Sequence, residues 1–82
     1  MEIPELEIEI IADSLANFHD WMVVDLKSEF IQNLKDNDVQ LSEEAMEKIY
    51  ENFMSIDSTQ RYKASFNHKD FTRDQYISLN SL

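Results

Sequence analysis

Glycine and cysteine are absent from this chain of 82 residues, and proline occurs once, at Pro4. Without glycine, the chain cannot contain a phosphate-binding P-loop, a dinucleotide-binding fingerprint or a glycine-flanked nucleophile elbow. Without cysteine, it has no disulfide, no thiolate metal site and no cysteine nucleophile. These absences exclude several large classes of enzyme.

Basic residues are scarce. Seventeen Asp and Glu residues stand against seven Lys and Arg residues, so the net charge is −10 and the isoelectric point is about 4.3. The first 26 residues contain no Lys or Arg at all. Such a charge repels phosphate backbones and anionic lipids and attracts basic surfaces. We therefore expect a basic protein surface as the partner, and no direct binding of nucleic acid or membrane.

Long apolar runs are also missing, since the longest is the four residues from Trp21 to Val24. The first residues lack the basic character of a signal peptide, and no segment is apolar enough to span a membrane. Apolar residues make up 43% of the chain, which is enough for one folded domain covering residues 1–82. The absence of disulfides favours a cytoplasmic location.

Apolar residues between positions 4 and 35 recur every three or four positions, which predicts a helix. They are Ile8, Ile11, Leu15, Phe18, Met22, Leu26, Phe30 and Leu34. An unbroken helix of this length would measure about 48 Å, which is too long for so small a domain. We therefore expect either an oligomer or a break near residues 17–20, where Asp20 could cap a second segment. The helix should end near Asn37, in the left-handed conformation.

Two more helices are predicted downstream. Ser42 is a favourable N-cap for a helix over residues 43–56, and Glu43 and Glu44 suit its first turn. A short third helix should run from about Thr72, where Thr72 and Gln75 have capping-box spacing, to residue 80. The sequence therefore predicts a mainly α fold, a small three-helix domain with a long N-terminal helix.

An α+β fold is the alternative. Residues 5–10 and 61–66 alternate between polar and apolar side chains, so they could pair as a short two-stranded ribbon. An isolated ribbon of two strands is weak in water. Whether residues 5–10 form helix or strand stays open at this point.

An acidic face is the first candidate for a binding site. Glu5, Glu9 and Asp13 are spaced four residues apart on the predicted helix, and Asp20 extends the series. Each like-charged pair costs about 0.2–0.5 kcal/mol, and no basic residue of the same segment relieves it. The face either keeps the protein in solution or meets a basic groove on another protein, in place of nucleic-acid phosphates.

An apolar stripe is the second candidate. The four apolar residues from Trp21 to Val24 reach every side of a helix, whereas the core covers only one. With Met22 assigned to the core, Trp21, Val24 and Ile31 form a second stripe. Either the C-terminal segment covers this stripe, or a homodimer or another partner does.

Metal and catalytic motifs are weak. Residues 36–47 place oxygen-bearing side chains at EF-hand spacing, but Leu41 stands where the calcium loop requires glycine. His19 and His68 do not have metal-ligand spacing. We expect no metal, no cofactor and no catalytic residue, and therefore no enzyme.

The tripeptide from Asp13 to Leu15, followed by the acidic segment of residues 43–49, resembles fragments of acyl carrier proteins. That resemblance implies Ser14 as the attachment point of phosphopantetheine. It covers only residues 13–49, and the chain lacks both the glycine before the motif and the helix that should precede it. We therefore assign no family.

The hypothesis that fits these observations is a small acidic, non-enzymatic binding module. It would act as an inhibitor or modulator of the viral or mobile-element type, occupying a basic, nucleic-acid-binding site on a host protein. Its contact residues would be Glu5, Glu9, Asp13, Asp20, Trp21, Val24 and Ile31. The alternative is a structural homo-oligomer subunit whose acidity serves solubility only.

Overall fold

The computed structural model describes residues 4–18, 26–63 and 66–80. These residues form five helices: α1 (Glu5–Phe18), α2 (Lys27–Asp36), α3 (Glu43–Met54), α4 (Ser58–Tyr62) and α5 (His68–Asn80). The mainly α prediction is confirmed, although the described residues contain two more helices than expected. The α+β alternative is wrong, because residues 5–10 lie within α1 and residues 61–62 end α4.

The predicted long N-terminal helix is interrupted. Helix α1 ends at Phe18 and α2 begins at Lys27, while Asp20, the expected cap, lies outside the described residues. Among the described residues, no side chain caps the start of α2. Instead, the backbone N–H of Leu26 donates a hydrogen bond of 3.2 Å to the hydroxyl of Tyr50 on α3. Helix α3 therefore fixes the point where α2 begins.

The core lies between the helices and uses the apolar positions that the periodicity selects. Its fully buried apolar side chains are Ile8, Ile11, Leu15, Phe30, Leu34, Ile49 and Phe53. Burial of one such side chain contributes about 1.5–3 kcal/mol. Helix α1 packs against α2 and α5, and α3 packs against α2 and α5. All four longer helices therefore share one apolar core.

The connection between α2 and α3 reverses the chain without glycine. Asp38 has a φ of 59°, whereas Asn37 has a φ of −101°. The N–H of Val39 bonds to the carbonyl of Leu34, and the N–H of Asp38 bonds to the carbonyl of Lys35. This is a Schellman motif. The predicted left-handed residue, Asn37, is wrong by one position because α2 continues through Asp36 and Asn37 is its C-cap.

Helix α3 begins as predicted, whereas α5 does not. Ser42 caps α3 by accepting a hydrogen bond of 3.1 Å from the N–H of Ala45. The cap of α5 is Asn67, whose Oδ1 accepts the N–H groups of Lys69 and Asp70 at 2.9 and 3.0 Å. The predicted capping box at Thr72 is wrong because Asn67 starts the helix earlier, so that Thr72 lies inside it and is fully buried.

Thr72 supplies a first prediction. Its hydroxyl is buried and has no hydrogen-bond partner within the part of the chain that the structure describes. Because an unpaired buried hydroxyl costs free energy, we expect Thr72→Val to raise the free energy of unfolding by about 1 kcal/mol. Urea denaturation measures the change, and Thr59→Val at an exposed position of α4 is the control. A decrease in stability would show that the Thr72 hydroxyl is satisfied in solution.

Candidate functional site

The predicted acidic face lies on α1, but α5 neutralises much of it. Glu5 Oε2 lies 2.9 Å from Arg73 Nη2, and Glu9 Oε1 lies 3.7 Å from Lys69 Nζ. The two acids are four residues apart on α1 and the two bases are four residues apart on α5, so the antiparallel helices are joined by two ion pairs one helical turn apart. We call this series of paired positions the α1–α5 ladder. The expected strain on α1 is therefore relieved by a helix that lies 60 or more residues away in sequence.

Asp13 occupies the next position along this ladder. Helix α5 begins at His68, one residue before Lys69, so it offers no further basic side chain opposite Asp13. Asp13 is exposed and forms no ion pair with any described residue. Of the predicted acidic face, Asp13 is the carboxylate that keeps its charge uncompensated, and Asp20 lies outside the described residues.

The predicted apolar stripe is wrong at Ile31. This side chain is only 7% exposed and belongs to the core. Lys27 and Lys35 flank it one turn away on either side, and they pair with Glu51 and Glu43 of α3 at 3.3 and 2.7 Å. The face that carries Ile31 is therefore the face that packs on α3. Trp21 and Val24 lie outside the described residues.

Most of the basic side chains are engaged within the molecule. Lys27, Lys35, Lys69 and Arg73 form the interhelical ion pairs. Arg61 is buried, and its Nη1 donates to the backbone carbonyl groups of Met54, at 3.0 Å, and Ile56. The remaining two, Lys48 and Lys63, are exposed and have no ion pair among the described residues.

Carboxylates outnumber the remaining cations on the surface. Within the described residues, nine carboxylates stand outside any ion pair: Glu7, Asp13, Glu29, Asp36, Asp38, Glu44, Glu47, Asp57 and Asp74. Asp57 is used as the N-cap of α4, and the others face solvent to differing degrees. The ion pairs thus leave a surface whose charge is strongly negative.

The connection between α2 and α3 carries three of these carboxylates and the ion-paired Glu43. We call it the acidic turn; its residues are Asp36, Asp38, Glu43 and Glu44, all of them exposed. Asp36 and Asp38 stand at the C-terminal end of α2, where the helix dipole disfavours negative charge. One base, Lys35, pairs with Glu43 there. In the sequence, these residues stand out only as helix-end residues and as part of an imperfect calcium loop.

An open groove lies where α1 extends past the start of α5. Its volume is about 380 Å³, and Ala12, Asp13, Ala16, Phe66, Asn67, His68 and Lys69 line it. The ring of Phe66 packs edge-on against Phe53 and His68, with ring centres 5.9 and 5.2 Å apart. The groove therefore combines small apolar side chains, an aromatic ring held by its neighbours, and one uncompensated carboxylate.

Ser14 is not placed to carry a phosphopantetheine group. It lies in the middle of α1, is 2% exposed, and its Oγ accepts a hydrogen bond of 2.6 Å from Asn33 Nδ2 on α2. The attachment that the acyl carrier resemblance implies is therefore wrong. The described residues also hold no group of three or more His, Asp or Glu side chains that could bind a metal ion.

Glu7 links α1 to two other parts of the molecule. Its Oε1 accepts hydrogen bonds from the hydroxyl of Tyr76, at 3.4 Å, and from the N–H of Gln40, at 3.2 Å. Burial, and then the charge of Glu7, raise the pKa of Tyr76 above its ordinary value of 10.0. The neutral phenol is thus the form that the folded protein favours.

This shift predicts a loss of stability in alkaline solution. Because the pKa of Tyr76 is higher in the folded state than in the unfolded state, its neutral phenol contributes its full stabilisation below pH 10. This contribution to the free energy of unfolding is lost as the pH rises through the folded-state pKa. We expect urea denaturation to show a smaller loss of stability above pH 10 for Tyr76→Phe than for the wild type. Parallel curves for the two proteins would contradict this prediction.

Comparison with known proteins finds no relative from which a function could be transferred. No family model, no curated protein and no solved structure matches the chain. Among the helices that the structure describes, none combines the length and the apolar character needed to cross a membrane. The function must therefore be argued from the geometry and charge of the chain itself.

Proposed function

We propose that this protein is a small acidic binding module that occupies a basic site on another protein and acts there as an inhibitor or modulator. One observation carries the proposal. Four of its basic side chains are used in interhelical ion pairs and Arg61 is buried, whereas nine carboxylates stand outside any ion pair of the described residues. The fold therefore presents negative charge outward.

The acidic turn is the part of the surface that we assign to this contact, together with Asp13. Carboxylates on a rigid helical frame attract Lys and Arg side chains of a basic groove and speed the encounter with it. They compete there with nucleic-acid phosphates, which use the same cationic side chains. Asp36 and Asp38 stand at the end of α2, where the helix dipole makes negative charge unfavourable. Asp36 accepts a hydrogen bond from Gln32, whereas the carboxylate of Asp38 has no hydrogen bond to a described residue. An unfavourable charge without an internal contact supports a role in binding a partner.

An octa-arginine peptide tests the proposal by standing in for the basic site of the partner. We expect binding at low salt that weakens steeply as salt is added, and that duplex DNA competes with the protein for the peptide. The triple variant Asp36→Asn, Asp38→Asn, Glu44→Gln should slow association about tenfold at low salt. Stopped-flow fluorescence of a labelled peptide measures the association rate.

A matched variant separates the acidic turn from net charge. Glu5→Gln, Glu9→Gln, Glu51→Gln also removes three negative charges, but each from an internal ion pair outside the acidic turn. We expect this variant to slow association less than the acidic-turn variant does. An equal effect would remove the acidic turn from the proposal, and absence of salt-dependent binding would refute the binding module itself. A stable dimer that ignores salt would instead favour the homo-oligomer alternative.

A further inference from the structure

The floor of the groove between α1 and the start of α5 suits a long, thin side chain. Ala12 and Ala16 are one helical turn apart, and their small side chains leave room beside the ring of Phe66. At about 380 Å³, the groove falls within the range of about 300–1,000 Å³ that ligand sites occupy. It can therefore take the apolar stem of one side chain against its methyl groups and ring.

The charges along the groove select a cation. Lys69 lines the groove, but its ammonium group pairs with Glu9. The first amides of α5, which would attract an anion, are already bonded to the side chain of Asn67. Asp13 is the lining charge that no described residue balances. The groove thus carries a local negative charge beside an apolar floor.

The aromatic lining favours arginine among the cationic side chains. Phe66 is fixed by Phe53 and His68, and its ring centre also lies 6.3 Å from that of Phe71. A planar guanidinium group stacks on an aromatic ring and binds a carboxylate through two parallel hydrogen bonds, whereas an ammonium group does neither as well. Asp13 and the Phe66 ring line the same groove and offer both of these contacts.

We propose that this groove binds an arginine side chain of the basic partner, with its stem over Ala12 and Ala16 and its guanidinium group between Asp13 and the ring of Phe66. This inference rests on the proposed function, because it presumes a basic partner. Asp13 is the third carboxylate along the α1–α5 ladder, and α5 provides no cation opposite it. The inserted arginine would supply that cation.

Titration of the ¹⁵N-labelled protein with octa-arginine, and separately with octa-lysine, tests the inference by amide chemical shifts. We expect the largest shifts at residues 12–16 and 66–69, with tighter binding of octa-arginine. Asp13→Asn and Ala16→Phe should each weaken octa-arginine about five- to tenfold, which is close to 1.4 kcal/mol at the upper end. Asp74→Asn, which removes an exposed and unpaired charge of α5 outside the groove, should change the affinity less than twofold.

The outcomes distinguish the groove from the wider proposal. Ala16→Gln fills the groove with a smaller side chain than Ala16→Phe does. If binding depends on salt but shifts the amides of other residues, and if neither Asp13→Asn nor Ala16→Gln weakens it, the inference is overturned and the proposed binding module is not. Equal affinity for octa-lysine would overturn the choice of arginine. Absence of binding to either peptide at low salt would overturn both the inference and the proposed function.

Discussion

Phe53→Ala is expected to lower the free energy of unfolding by about 3–5 kcal/mol. Phe53 is fully buried on α3, and its ring contacts Phe66, His68 and Phe71 at centre distances of 5.5–5.9 Å. Truncation removes these contacts and leaves a cavity that the surrounding helices fill only in part. This is the largest loss that we expect from a single apolar substitution.

The size of the domain makes this loss decisive. At about 0.05–0.15 kcal/mol per residue, a chain of 82 residues has a total stability of roughly 4–12 kcal/mol. Phe53→Ala therefore removes at least about a quarter of this stability, and most or all of it at the lower end of the range. Urea denaturation followed by circular dichroism measures the change through the transition midpoint, provided that the slope stays constant.

Two further variants keep the Phe53 prediction testable if the alanine variant fails to fold. Phe53→Leu retains most of the apolar volume and should cost less than half as much as the alanine variant. Leu6→Ala is the control for loss of an apolar side chain, because Leu6 is 71% exposed, and it should change stability by less than about 0.5 kcal/mol. Similar losses for Phe53→Ala and Leu6→Ala would show that the aromatic cluster is not packed as described.

The elements that sequence analysis predicted well are those whose signals lie within one segment. Ser42 stands directly before the helix that it caps, so the local sequence alone placed the start of α3. The same holds for the apolar positions of α1, where Ile8 and Leu15 repeat with helical period. Such patterns depend on neighbours within a turn or two, and the sequence states these directly.

The surface could not be predicted in the same way. Whether Glu5 carries free charge depends on Arg73, and whether Ile31 is exposed depends on the contacts of Lys27 and Lys35 with α3. These partners come from other helices, and the pattern of one helix does not say which neighbour will cover it. The candidate site therefore moved from the face of α1 to the acidic turn and the groove beside Asp13.

Buried polar contacts were harder still to anticipate. In the α+β alternative, Arg61 was one of the polar positions of a short strand, whereas it lies in α4 and is 6% exposed. Its Nη1 donates to the carbonyl groups of Met54, the last residue of α3, and of Ile56, in the connection to α4. A long charged side chain was needed at that corner, and charge alone does not reveal such a position.

Arg61→Met is accordingly expected to lower the free energy of unfolding by about 3 kcal/mol. The guanidinium Nη1 donates to the backbone carbonyl groups of Met54 and Ile56, and methionine leaves both without this donor. Hydrogen bonds from a charged group contribute about 1.5–3 kcal/mol, and a buried carbonyl group left unpaired costs about 1–3 kcal/mol. Removal of a buried charge offsets part of this loss, because burial of methionine costs less free energy than burial of arginine.

Urea denaturation and amide hydrogen exchange together check the Arg61 prediction. Arg61→Lys should recover about half of the stability, because an ammonium group keeps the charge but presents its donors from a single shorter point. Lys63→Met, two residues away and exposed, should be nearly neutral. Exchange should accelerate first at the end of α3 and in α4 if the loss is local to this corner. A methionine variant as stable as the wild type would show that the two carbonyl groups find other partners, and that the corner between α3 and α4 is held by its apolar contacts alone.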